Sequence, residues 1–339
     1  MDDNYWIGKN VLITGVNGFI GGSLAKSLVS RGCNVIGLMR NEKKGTLLYI
    51  DNIIDHVTII NGDVTDKELL FRIISEEQVE YIYHLAAQVE VGVGVLNPYI
   101  TFESNIKGVY SLFEAVRLSG DLVKSVVVAS TDKAYGSYDS DMMPYKEDYP
   151  LKPMYPYDVS KACGDMIARS YASDVYNLPI IVTRFCNIYG PGQLNFSALF
   201  PDGIRSALGY STFIPRGNGE QVRDFIYIDD VIDLYIKIGK KLADDPDSCS
   251  GEVFNAGTNS PITVKQVLQG IFTAVDNYND FEIIENSMVS QKTIGEIDYQ
   301  YMDYDKAFKY FSWKPVHSLK FGTEKTIDWF KQYLREKYK

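Results

Sequence analysis

Apolar residues along this chain fall into short continuous runs, and between the runs they recur at helical spacing. The segments 10–14, 34–39, 56–60, 81–87, 125–129 and 180–185 read as short buried strands. Helical patterns follow most of them, through Leu24, Leu28 and Val29 and then over 66–75, 97–118 and 158–176. Strand and helix alternate without long structureless gaps. That rhythm predicts an α/β fold, a doubly wound parallel sheet with right-handed crossovers. After residue 185 it breaks. Turn chemistry over 187–192 leads to a helix near 197–209, a strand at 212–215, a Gly217-Asn218-Gly219 turn and an apolar stretch over 225–228. A helix over 229–241, a polar linker at 244–247 and a buried strand at 253–256 come next, then helices near 264–275, 305–311 and 319–333. Residues 1–186 with 225–257 are expected to form the sheet domain, and 187–224 with 258–339 a smaller mixed α/β lobe closing over its edge, where ligand clefts form. No internal repeat or low-complexity segment is evident.

The first strand runs into Gly15-Val16-Asn17-Gly18-Phe19-Ile20-Gly21 and then a helix. Glycines spaced three and three let the backbone turn tightly, approach a pyrophosphate and pack helix on strand, with the anion at the helix N-terminus. Strand, glycine turn and helix within the first 25 residues therefore predict a Rossmann-type dinucleotide site holding NAD or NADP. Where an acid would read a ribose 2′-hydroxyl, Met39-Arg40-Asn41 offers none; Arg40 with a nearby lysine leans the reading to NADP, against a plain surface charge run. Asp63 and Val64 sit just past the third strand, where Asp63 could accept from an adenine amino group or only cap the next helix. Leu85, Ala86 and Ala87 end the following strand with the small side chains a cofactor lying across the sheet needs. His84 reads as a satisfied core histidine.

Four Tyr-x-x-x-Lys pairs occur, Tyr5/Lys9, Tyr157/Lys161, Tyr310/Lys314 and Tyr333/Lys337, so the pattern alone selects nothing. Tyr157 opens a helix-like run after a Pro-rich loop and follows the strand that ends in Ser130-Thr131; the other three pairs lie near the chain ends. Residues four apart share a helix face, so Lys161 would stand by the Tyr157 phenol, whose ordinary pKa of ~10 a fixed positive charge would lower.

Bulk properties narrow the classes. At 339 residues, with 45% hydrophobic and 23% charged, the chain is an ordinary globular protein long enough for two lobes. A net charge of −10 opposes a nucleic-acid partner. No run of ~18 apolar residues and no basic, apolar leader around Asp2 and Asp3 appears, so a cytoplasmic protein without membrane contact is expected. The four cysteines are widely spaced and the three histidines stand at no metal-ligand spacing, so reduced thiols and no metal are expected.

Taken together, Thr14-Gly15-x-x-Gly18-Phe19-Ile20-Gly21, Gly62-Asp63-Val64, His84-Leu85-Ala86-Ala87-Gln88, Asn105, Ser130-Thr131, Tyr157-x-x-x-Lys161, Asn187-x-Tyr189-Gly190-Pro191, Arg223-Asp224 and Trp313-Lys314-Pro315 resemble the extended short-chain dehydrogenase/reductase family, specifically its nucleotide-sugar epimerases and 4,6-dehydratases. The resemblance implies that Tyr157 takes the proton from the hexose 4-hydroxyl, that Lys161 lowers its pKa and holds the nicotinamide ribose, and that Thr131 hydrogen-bonds the 4-oxygen. Gln88 falls on the substrate side, and Asn187 and Arg223 sit where the family meets the diphosphate of a CDP, GDP, UDP or dTDP sugar. The alternative for Arg223 is a salt bridge to Asp224 or Asp229. Thr131-Asp132-Lys133 resembles the form in CDP-glucose 4,6-dehydratases, which implies Asp132 as the acid for the departing C6 hydroxyl and Lys133 as candidate C5 base. The two could instead only pair with each other. A 4-epimerase, acting on UDP-glucose or UDP-N-acetylglucosamine, would need neither. A homodimer is expected by the same resemblance.

Overall fold

The computed structural model describes residues 4–288 and 296–338; Asp2, Asp3 and both outer ends of the expected lobes lie outside them. Ten strands carry the first part of the description: β1 (Asn10–Thr14), β2 (Asn34–Met39), β3 (Val57–Asn61), β4 (Tyr81–His84), β5 (Ser125–Thr131), β6 (Ile180–Phe185), β7 (Asn187–Tyr189), β8 (Val222–Arg223), β9 (Phe225–Tyr227) and β10 (Val253–Ala256). Seven of them form one parallel sheet in the order β3-β2-β1-β4-β5-β6-β10.

Period two explains why these runs are apolar throughout. Leu12, Ile36, Ile82, Val126 and Val128 point into one buried cluster with Ile73, Leu112 and Phe113; Val11, Ile13, Tyr83, Val127 and Ile181 point into the other with Leu24, Leu28 and Ile238. Both faces are covered by helices, so the doubly wound α/β fold expected from the rhythm is the one observed. Strand order reverses between β1 and β4, which opens a crevice past their C-terminal ends.

The expected helix over 97–118 is broken, for identifiable reasons. Asn97 accepts from Ile100 N at 3.3 Å with Pro98 at the first helical position, which separates Val91–Leu96 from Pro98–Phe102. A π turn, Glu103–Lys107, then inserts before Gly108–Leu118.

The remaining segments form the smaller part. Here β11 (Ile262–Thr263) and β12 (Tyr299–Gln300) flank β8, and β7 pairs with β9 inside the region that reads as turn chemistry. Strands this short carry no periodicity to detect. Residues 212–215, by contrast, form no strand, and the helix Tyr278–Ser287 has no counterpart in the sequence pattern. The C-terminal segment is clamped by one buried carboxylate: Asp230 accepts from Val316 N (3.0 Å) and His317 N (3.2 Å), while its own carbonyl accepts from Trp313 Nε1 (3.0 Å). Trp313 is fully buried, so truncating it to alanine would cost about 3–5 kcal/mol.

Candidate active site

At the crevice, the Gly15 backbone takes a left-handed φ of +73°, and a Cβ there would stand 2.9 Å from the Ala86 backbone. A Cβ on Gly21 would strike the Gly15 carbonyl. The helix Phe19–Ser30 thus packs against the turn, and its N-cap, Gly18, offers no side-chain acceptor to the first-turn amides. No acid lies in that turn. Free amides in a cradle that side chains would fill suit a pyrophosphate. Asn17 Nδ2 donates to Asn41 O at 2.7 Å, which ties this loop to the one after β2. Val64 packs under Gly108 and is core rather than surface.

Two expectations for the adenosine end meet in one contact. Arg40 Nη1 stands 3.8 Å from Asp63 Oδ2, with both side chains exposed, and Asp63 Oδ1 accepts from Thr65 N at 2.9 Å. The cap of the next helix is Asp66 rather than Asp63. His84 is buried, its ring 3.0 Å from Thr14 Oγ1, and that oxygen also accepts from Leu85 N and Ala86 N at 3.2 Å. With both lone pairs taken, the hydroxyl donates to Nδ1. Burial and the Lys161 charge push the imidazole down to about 3, so it is neutral and structural, as a core histidine should be.

β5 ends at Thr131 and turns at once into a single tight turn, Asp132–Tyr135. Facing it is the first turn of the helix Pro156–Ala172, where Pro156 at the start has no amide of its own to satisfy. Asn105, carried by the π turn, ties this helix to the loop after β4: it accepts from Gln88 N (2.7 Å) and donates to Gln88 O (2.9 Å) and Ser160 Oγ (2.9 Å). Ser160 Oγ donates to Tyr157 O. The Gln88 side chain donates to Glu90 O and accepts from Thr101, which occupies it within its own loop.

The catalytic candidates are gathered, yet the electrostatics differ from the simple helix-face picture. Tyr157 is pushed up by burial and by the charges of Asp132 and Asp158, against which a hydrogen bond from Thr131 acts. Lys161 Nζ donates to Ala129 O at 2.5 Å instead of the phenol, and burial draws it down to about 8, with Asp165 opposing. The expected lowering of Tyr157 by Lys161 is therefore not the arrangement here. Asp132 is buried; Oδ1 accepts from Thr131 Oγ1 at 3.1 Å and Oδ2 has no partner. Burial raises its pKa, while Lys133, Arg223 and Thr131 pull the other way. Lys133 Nζ donates to Gln300 Oε1 at 3.4 Å, so it reaches across to β12 rather than closing an ion pair with Asp132. Asp158 lies in the same cluster, buried, with Oδ1 unpartnered.

A cleft of about 170 Å³ is lined by Asn187, Arg216, Gly219, Arg223, Phe225 and Glu296 among others, and by none of the side chains of that cluster; Arg223, whose charge acts on Asp132, is the link between the two. Arg223 is buried and bonded to Glu296 Oε2 (2.6 Å) and to the carbonyls of Ile297 (2.6 Å) and Val222 (2.9 Å). Its partner is neither Asp224 nor Asp229; Asp224 is taken by Thr258 and by Asn259 N. Asn187 Nδ2 donates to Asp224 O at 3.2 Å. Among the described residues no group of three or more His, Cys, Asp or Glu could hold a metal, the cysteines are free, and no helix is long and apolar enough to cross a membrane.

A family model described as GDP-mannose 4,6 dehydratase matches residues 12–326. The dTDP-glucose 4,6-dehydratase of Xanthomonas campestris is 29% identical over 336 residues, spanning 94% of this chain and 92% of its own length. Among solved structures, the UDP-glucose 4-epimerase of Thermotoga maritima with UDP-glucose superposes with a TM-score of 0.84 at 28% identity, covering 96% of this chain and 99% of that one. The dTDP-glucose 4,6-dehydratase of Bacillus anthracis in complex with NAD gives 0.82 at 27% identity, covering 96% and 97%.

Proposed function

This chain belongs to the GDP-mannose 4,6-dehydratase family, and from that premise we propose that it converts a nucleotide-bound hexose to its 4-keto-6-deoxy form. The substrate is a CDP, GDP, UDP or dTDP hexose and the cofactor NAD(P), in a protein of two lobes, 1–186 with 225–257 and 187–224 with 258–339. When bound, the nicotinamide supplies the oxidant for C4 and returns the same electron pair to C6. The pyrophosphate would lie against Gly15, Asn17, Gly18, Phe19, Ile20 and Gly21, with Leu85, Ala86 and Ala87 flooring the crevice; Asp63, Val64 and Arg40 stand at its adenosine end.

Tyr157 removes the proton from the sugar 4-hydroxyl while Thr131 hydrogen-bonds the same oxygen. For that, the phenolate must be favoured over the phenol that burial now holds. Turning the Lys161 ammonium from the Ala129 carbonyl toward the phenol, one helical turn away, supplies the charge. Asp132 protonates the departing C6 hydroxyl. A carboxyl with burial raising its pKa and one oxygen without a partner is suited to keep and then give a proton. This unpartnered Asp132 oxygen beside Tyr157 is the observation that carries the proposal, because C4 epimerisation needs no acid there. Asn187 and Arg223 border the cleft that would take the diphosphate.

The test is to incubate purified protein with each of the four nucleotide hexoses and analyse products by mass and NMR. Loss of one water and a C6 methyl support the proposal. A 4-epimer with its C6 oxygen retained, as from a UDP-glucose 4-epimerase, would refute it.

A further inference from the structure

Elimination across C5–C6 needs a base as well as an acid. Tyr157 is committed to the 4-hydroxyl and Asp132 to the C6 hydroxyl. Lys133 donates to Gln300 and acts as a cation on both carboxyls of the cluster. What remains is Asp158. It projects from the first turn of the helix Pro156–Ala172, which packs on the turn Asp132–Tyr135, and its neighbours in charge are Lys133 and Asp132. It is 3% exposed, and Oδ1 makes no hydrogen bond. A carboxylate that only balanced the helix dipole would be solvated or bonded to first-turn amides.

We propose that Asp158 is the base that takes the C5 proton and later returns it; the inference rests on the dehydratase reading above. Once C4 is a ketone, the C5–H bond breaks toward Asp158 and its electron pair forms the enolate. The enolate then re-forms the ketone as the C6–O bond breaks, with the Asp132 proton leaving in water. Addition of the stored electron pair at C6 and return of the proton from Asp158 to C5 complete the product, with no net oxidation. Burial and the Asp132 charge push Asp158 up to about 6, against Lys133, which makes it a stronger base than an ordinary carboxylate yet still ionised at neutral pH.

The 4-keto-6-deoxy product also has an acidic C5–H, so the step can be read without turnover. Product prepared with the wild-type protein is incubated in D2O with wild type, Asp158→Asn or Asp158→Glu, and C5 deuterium is followed by NMR. The Asn variant should slow exchange by about 10²–10⁴-fold, with Glu restoring much of it, while the Asn variant mixed with nucleotide hexose still accumulates reduced nicotinamide. Exchange at the wild-type rate in Asp158→Asn would overturn the assignment. So would loss of both exchange and C4 oxidation, which would make Asp158 structural. If wild type forms no 4-keto-6-deoxy sugar at all, the dehydratase reading itself has failed, and that outcome is distinguishable from the other two.

Discussion

Replacing Asp165 by asparagine isolates an ion pair whose two side chains are both buried. Arg184 on β6 donates from Nε to Asp165 Oδ2 at 2.8 Å, with side-chain exposures of 1% and 0%. The guanidinium also reaches Tyr135 Oη at 2.7 Å and lies 4.6 Å from that ring. Tyr135 in turn bonds Asn255, whose amide holds Tyr145 O. Asparagine keeps the shape and removes the anion, leaving a cation in the dry interior. Breaking such a pair from one side costs about 3–5 kcal/mol, a fifth or more of a typical total of ~5–15 kcal/mol. Urea unfolding of the ligand-free protein, followed by far-UV circular dichroism, should show that loss. The double variant Asp165→Leu/Arg184→Met should be far closer to wild type, because it removes both charges. A loss under about 1 kcal/mol in Asp165→Asn would refute the reasoning. There is a functional corollary. Asp165 is the charge that opposes the lowering of Lys161, so its removal drops Lys161 further below about 8. Activity that depends on the ammonium then falls off at a lower pH than in wild type.

Two further outcomes follow from the crevice. Gly15→Ala should weaken dinucleotide binding at least tenfold by calorimetry, since its Cβ would meet the Ala86 backbone at 2.9 Å in a left-handed turn; unchanged affinity would mean that the cradle is not the pyrophosphate site. His84 stays neutral when folded, at about 3, but takes a proton near ~6.5 when unfolded. Its contribution is therefore present above pH ~6.5 and is lost as pH falls toward 3, by several kcal/mol at the limit. Urea midpoints of His84→Asn should fall less steeply over that window than those of wild type, and parallel curves would count against a neutral, buried ring.

The sheet was readable because its strands are apolar on both faces and long enough to be seen. Strands at 34–39, 180–185 and 253–256 fall where the sequence puts them. The smaller part was not readable at the level of strands, since β8, β11 and β12 have two residues each and exist only through pairing. The same holds at the site. Gly15 and Tyr157 could be picked out because a local spacing points to each, and Thr131 and Asp132 because of the family resemblance that their run carries. Asp158 and Gln300 could not, because what matters about them is a missing hydrogen bond and contact between residues 133 and 300; Asn105 stood out only by the resemblance, and its hydrogen bonds depend on the π turn that carries it.

That last contact bears on how the chemistry is confined. Asp132 stands just past β5 of the sheet, but the charges acting on it include Arg223 and Asp224, outside that sheet, and Lys133 reaches Gln300 on β12. Gln300 pairs in register with Arg223, and Tyr145 Oη holds both Gly136 O and Tyr299 O. The acid of the proposed elimination therefore has its protonation set from both sides of the cleft. A diphosphate displacing Glu296 from Arg223 would change the balance of charge around Asp132 before the sugar reacts. Arg223→Lys keeps the charge but gives up the planar fork over Glu296 and the Ile297 and Val222 carbonyls. It should raise KM for the nucleotide sugar and shift the pH dependence of the water-elimination step together. A change in KM with an unmoved pH profile would show that the two sites are energetically separate.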